Sequence, residues 1–235
     1  MRAHSQHPPL REVLTFLCGA LAALVIALFL LVVASNAWEH EEQEQQEPLV
    51  VVERPQKPIP AGTYMPLYLQ TEVQWANVPY AGGTIADSGC GLVCAAMAVK
   101  YLTTQDVTPR DLAGVVGDSC LTDGVNDPEK FAQWIEAAYP SYGISCTGKL
   151  YSLDEALAMV DSGALAFAGV HGAFGDAKYN SHVVMVWRHD DGGYWVRDPA
   201  SAGNSARSFT LEELKQSDLF YFVCISGGNY GNARN

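Results

Sequence analysis

Ser88-Gly89-Cys90-Gly91 stands directly before Leu92 to Leu102, a stretch apolar nearly all round that reads as a buried helix. The thiolate is the nucleophilic form of cysteine, and the unpaired N–H groups and positive dipole end of a helix start favour it. The flanking glycines would allow a tight turn and the close approach of a substrate carbonyl. The first N–H of that helix could then hold an oxyanion. The same residue type also fits a buried structural cysteine.

A nucleophile of this kind needs a base, and three downstream histidines could supply one. His189 adjoins Asp190 and Asp191 and reads as a rim residue. His171 precedes Gly172 at the end of a strand. His182 opens the apolar run Val183 to Trp187 after the polar Tyr179-Asn180-Ser181, the position of a site residue at the mouth of a core strand. Asp198 is the candidate to accept the other imidazole N–H and orient the ring. It ends the strand that follows His182, just before Pro199. A four-residue turn at 190–193 sets Asp198 opposite Met185, three residues from His182. A bulge or a bend has to close that gap.

The elements that would carry these residues are legible by pattern. Thr108-Pro109 and Asp127-Pro128 each offer an N-cap with Pro at N1, opening helices to about 116 and 138. Ser152 to Glu155 and Thr210 to Glu213 match the capping box, with Gly163 as a stop for the first of these helices. Ala164 to Val170, His182 to Arg188, Tyr194 to Asp198 and Leu219 to Ile225 read as strands. Asp190-Asp191-Gly192-Gly193 makes the hairpin between the middle two. Helices first and antiparallel strands after predict an α+β domain of two segregated parts.

The 235 residues are 49% hydrophobic, enough for one globular domain with a real core. Net charge is −12 and no basic stretch follows the first dozen residues, which argues against a nucleic-acid partner. Val13 to Trp38 carries no formal charge, and roughly 20 apolar residues suffice to cross a bilayer as a helix. Arg2 and Arg11 precede it and an acidic run follows, so the positive-inside rule puts 1–12 in the cytoplasm and the rest outside. A long signal peptide cut near Ala34 or Ala37 would export the same domain. The expected organisation is a cytoplasmic 1–12, a signal-anchor helix at 13–38, an acidic, Pro-spaced stalk at 39–63, a folded domain at 64–226 and a flexible tail at 227–235.

Taken together, the Gln70 to Gly91 segment with its Gly-Cys-Gly, His182 before an apolar strand, and Arg197-Asp198-Pro199 resemble the papain-like cysteine peptidases. Within them the pattern is similar to the relatives of the double-glycine leader, or bacteriocin-processing, peptidases. The resemblance implies a papain-like fold in which a central helix carries the nucleophile and an antiparallel sheet carries His and Asp. It also implies a Cys90–His182–Asp198 triad and a glutamine completing the oxyanion hole, with Gln70 in that place and Gln74 as its rival. Leu92-Val93-Cys94 after Gly91 and Ser181 before the histidine depart from the family pattern and could reshape the pocket.

The expected activity is therefore hydrolysis of a peptide bond outside the membrane, with a peptide or protein as partner and no cofactor. A cell-wall peptide amidase or endopeptidase, or an inactive peptide-binding module of the same fold, are the alternatives. No C-x-x-C or H-x-x-x-H pair suggests a metal. Cys18 lies in the apolar segment, which leaves Cys90, Cys94, Cys120, Cys146 and Cys224 outside. An odd count in an oxidising compartment leaves one thiol free. Cys90 is the natural one, and Cys120 with Cys146 is the first pairing expected among the others.

Overall fold

An apolar run without polar alternation, such as Ala164 to Val170, requires a strand covered on both faces, and the sheet is built that way. The computed structural model describes residues 65–227. The expected cytoplasmic segment, membrane span, stalk and all but the first residue of the tail lie outside the described residues. Among those that are described, no helix is long and apolar enough to cross a membrane.

The hairpin β1 (Pro79–Tyr80) and β2 (Gly83–Thr84) leads into α1 (Ile85–Ser88) and then the long α2 (Cys90–Thr103). Next come α3 (Pro109–Val116), the hairpin of β3 (Leu121–Thr122) and β4 (Val125–Asn126), and α4 (Pro128–Ala138). The second half holds β5 (Ser145–Cys146), α5 (Leu153–Asp161), β6 (Leu165–Phe174), β7 (Ala177–Asp190) and β8 (Gly193–Arg197). It closes with α6 (Ala202–Ser205), β9 (Ser208–Phe209), α7 (Leu211–Gln216) and β10 (Leu219–Ser226). The starts obey their caps. Thr108 and Thr210 form capping boxes with Asp111 and Glu213, while Asp127 and Ser152 accept from the N–H groups of Glu129 and Glu155.

Six antiparallel strands make the sheet in the order β5-β10-β6-β7-β8-β9. Alternation along the strands divides the interior in two. Leu165, Phe167, Val183, Met185, Val223 and Ile225 join the core around α2, α3 and α4. Ala166, Ala168, Val184, Val186, Phe222 and Cys224 face α5 and Leu214 of α7. The class is α+β, but the expected segregation is corrected: helices cover both faces of the sheet, because both faces are apolar. Leu92 to Val99 of α2 are fully buried, which accounts for a helix apolar all round.

The hairpin register answers the mismatch anticipated at Asp198. His189 pairs with Tyr194 and Arg188 with Trp195, after which the register shifts so that Val186 pairs with Val196 and Met185 with Arg197. A bulge at Trp187 thus moves β8 by one residue relative to β7. The ladder ends at Met185 with Arg197, so the shift leaves Asp198 one residue nearer His182 than the count from the turn allows. Without the bulge Asp198 would fall opposite Met185.

Arg197 ties the start of the described chain to this region. Its fully buried guanidinium donates to Met65 O and Ser205 O, both at 2.9 Å, and lies 5.0 Å from the Trp187 ring centre. Gln70 N donates to Pro199 O at 2.9 Å. The glutamine-bearing segment is therefore stitched to the end of β8.

Candidate active site

Cys90 is the first residue of α2, and each neighbouring glycine has a steric reason. A Cβ on Gly89 would lie 2.5 Å from Ile85 O, so α1 can close on α2 only with glycine there. A Cβ on Gly91 would lie 2.7 Å from the Asn126 Cβ. The space beside Gly91, expected to admit a substrate carbonyl, is filled by the Asn126 side chain.

His182 is 5% exposed and its Nε2 lies 2.8 Å from Asp198 Oδ1. A carboxylate can only accept, so that nitrogen carries the proton and Nδ1 is left to meet the Cys90 thiol. Asp198 has no exposed surface. Its Oδ1 also accepts from Ala200 N at 2.9 Å. Its Oδ2 accepts from the Tyr179 hydroxyl at 2.8 Å and from Asn204 Nδ2 at 2.9 Å. Ser205 Oγ accepts from Asp198 N and donates to Asp198 O. The Tyr179 ring stacks on the imidazole with centroids 4.0 Å apart.

These contacts set the charges. Burial opposes ionisation of both partners. For His182, the hydrogen bonds to Asp198 and Cys90 outweigh it and raise the imidazole to about 9. For Asp198, the bonds from His182, Asn204 and Tyr179 hold the carboxyl below the usual carboxylate range. Burial and the Asp198 charge push the Tyr179 hydroxyl up, so it remains a donor.

Gln70 is half-buried and its Nε2 donates to Ala86 O at 2.5 Å, while its Oε1 is buried with no partner among the described residues. Gln74 is exposed and only its backbone carbonyl is engaged, by Arg110. His189 is exposed, bonds Asp161 and stacks on Tyr194. His171 is exposed and its Nδ1 meets Asn180 O. Neither lines the Cys90 cavity, which encloses about 310 Å³ and is bordered by His182, Asn126, Val125, Phe220 and Tyr221. A larger open cleft of about 650 Å³, bordered by Glu155, Met159 and Ser162, shares no residue with it and carries no nucleophilic pair.

A family model described as the Peptidase_C39 like family matches residues 65–221, most of the chain and nearly all of the described part. The chain belongs to that family. Among solved structures, a C39-like peptidase from Bacillus anthracis is 15% identical, with a TM-score of 0.43 and coverage of 69% of this chain and 94% of that one. No curated protein matches. Family membership places this C39-like domain among the papain-like cysteine peptidases.

Four polar residues of the candidate site were not singled out from sequence: Tyr179, Asn204, Tyr80 and Asn126. Tyr179 lay in the polar triplet before His182, the one available signal. Asn204 lay in an apparent loop. The expected disulfide is corrected, because all five described cysteines are free thiols. Cys146 donates instead to Glu136 Oε2 at 2.9 Å, while Cys120 sits 3.8 Å from Ser119 Oγ. Among the described residues no cluster of three or more His, Cys, Asp or Glu could hold a metal.

The His182–Asp198 pair makes stability depend on pH in a definite window. The raised imidazole contributes fully below its unfolded value near ~6.5 and loses that contribution as pH rises through about 9. The depressed carboxyl contributes above about 4 and loses its share as pH falls through its folded value. Urea unfolding should therefore show a loss on the order of 3 kcal/mol between pH 6 and pH 10. That slope should flatten in His182→Ala. An equal slope in the variant would show that the pair does not couple to folding.

Proposed function

We propose that this C39-like domain hydrolyses peptide bonds on the outer side of a membrane, tethered by residues 13–38, through Cys90, His182 and Asp198. The observation that carries the reading is the His182 Nε2 to Asp198 Oδ1 contact of 2.8 Å, which leaves Nδ1 for the Cys90 thiol. Cys90 Sγ, its proton already passed to the raised His182 imidazole, attacks the scissile carbonyl carbon as the thiolate. The negative oxygen is received by the Cys90 backbone N–H and a Gln70 Nε2–H. His182 then protonates the leaving amine, and water, deprotonated by the same ring, releases the acid and restores the thiol. Asp198 keeps the ring in the tautomer this requires. One Nε2–H of Gln70 is already given to Ala86 O, so the other is the one assigned to the oxyanion.

The order Gln70, Cys90, His182, Asp198-Pro199 supports kinship with the double-glycine leader peptidases, but the cavity argues for a bulkier substrate than a glycine pair. Phe220 is 50% and Val125 53% exposed beside the nucleophile, and Tyr221 joins their wall. Covering the exposed half of such a ring contributes about 1–1.5 kcal/mol. Cleavage of a degenerate peptide pool by the full chain should select an apolar side chain adjacent to the cut. Phe220→Ala should lower kcat/KM for those peptides about tenfold. Selection of glycine pairs, untouched by Phe220→Ala, would return the substrate to the leader-peptide class. A pool left intact by wild type and by Cys90→Ala alike would leave the peptide-binding reading.

A further inference from the structure

Asn126 ends the β3–β4 hairpin, yet its amide is built into the start of the nucleophile helix. Its Oδ1 accepts from the Tyr80 hydroxyl at 3.0 Å. Its Nδ2 donates to Ser88 O at 2.6 Å and lies 3.9 Å from Cys90 Sγ. The two outer partners fix which way the amide points, because Ser88 O can only accept. Gly91 is the space in which this side chain lies. Tyr80 is 5% exposed, and burial pushes its hydroxyl up, so it stays a donor.

We propose that Asn126 is a catalytic residue of this site, its second Nδ2–H stabilising the Cys90 thiolate, with Tyr80 as its positioning residue. The inference rests on the Cys90–His182 reading and adds a support for the negative sulfur that is independent of the imidazole. An amide polarised at its oxygen by a donor is a better donor at its nitrogen. The distance of 3.9 Å to a neutral thiol is long, and the contact tightens when the sulfur carries charge. Without Asn126 the thiolate would depend on His182 and the helix start alone.

The titratable groups around Cys90 are His182 on β7, Tyr80 on β1, Tyr221 on β10, Cys94 one turn along α2 and Asp87 at the cavity rim. Burial pushes Tyr80, Tyr221 and Cys94 up, so these stay neutral and His182 is the group that competes in the readout. The experiment is the rate of iodoacetamide labelling of the Cys90 peptide in the full chain from pH 4 to 10, followed by mass spectrometry. Asn126→Ala should move the midpoint up by about one pH unit, and Tyr80→Phe by about half of that. Asn126→Asp should move it further than Asn126→Ala, because it sets a carboxylate where the amide stood. A brace that merely holds Ser88 would be lost equally in both and would leave the midpoint alone.

If the Asn126 variants do not fold, the milder Tyr80→Phe carries the test. A midpoint unchanged in folded Asn126→Ala or Tyr80→Phe, but moved in His182→Ala, overturns the role of Asn126 and leaves the Cys–His pair standing. A midpoint indifferent to His182→Ala as well overturns both.

Discussion

His182→Ala should lower peptide hydrolysis at neutral pH by about 10²–10⁴-fold, the range that a positioned acid and base supplies. Cys90→Ala should bring it to background. The double variant should be no slower than Cys90→Ala, because nucleophile and base act as one unit and their losses do not add. The fold should tolerate the loss of the imidazole. Asp198 would keep three other donors, Ala200 N, the Tyr179 hydroxyl and Asn204 Nδ2, so its charge would not be stranded. Turnover of a cleaved peptide, read beside the far-UV spectrum of each variant, checks this. Hydrolysis surviving Cys90→Ala would remove the thiol from the mechanism. Hydrolysis unaffected by His182→Ala in a folded protein would assign the base elsewhere.

Asp198→Ala should be the most damaging single substitution for stability, costing about 3–5 kcal/mol of unfolding free energy. The carboxylate is fully buried and collects four donors from three directions, so its removal leaves all four facing an acceptor that is gone. Asp198→Asn separates the two roles of the group. The amide oxygen can still accept, so stability should fall by about 1–3 kcal/mol only. An amide nitrogen turned to His182 would hold the wrong tautomer, and turnover should collapse regardless. Urea unfolding followed by tryptophan fluorescence, paired with turnover, distinguishes these. An Asp198→Ala variant within about 1 kcal/mol of wild type would mean that the network is replaced by water at little cost.

Much of the candidate site is legible because its residues sit at punctuation. Cys90 lies between glycines at the start of an apolar helix, His182 at the polar mouth of an apolar strand, and Asp198 before a proline. Their relative geometry is less so. Counting residues from the turn sets Asp198 against Met185, and the bulge at Trp187 brings it one residue nearer His182. A bulge leaves no mark in a sequence that stays apolar through Val186 and Trp187. Asn126 was hidden for a different reason. In Thr122-Asp-Gly-Val-Asn126 it reads as an ordinary turn residue, and its partners Ser88 and Tyr80 are 38 and 46 residues away. Helices on both sheet faces follow from the two-sided apolar strands, a pattern visible in Ala164 to Val170, whereas the order of helices and strands alone suggests two segregated parts. Thiol pairing is a matter of where side chains end up, and counting cysteines does not supply it.

β10 is the last strand of the described residues, yet it lies between β5 and β6 rather than at an edge. Its Phe220 and Tyr221 border the Cys90 cavity. As the chain leaves the ribosome, the nucleophile and its helix therefore emerge long before the strand that completes the sheet beside them. Until residues 219–226 arrive, β6 offers a bare edge and the cavity lacks a wall. A chain that stops short of residue 219 should therefore lack a wall of the Cys90 cavity and leave the β6 edge open to pairing with other chains.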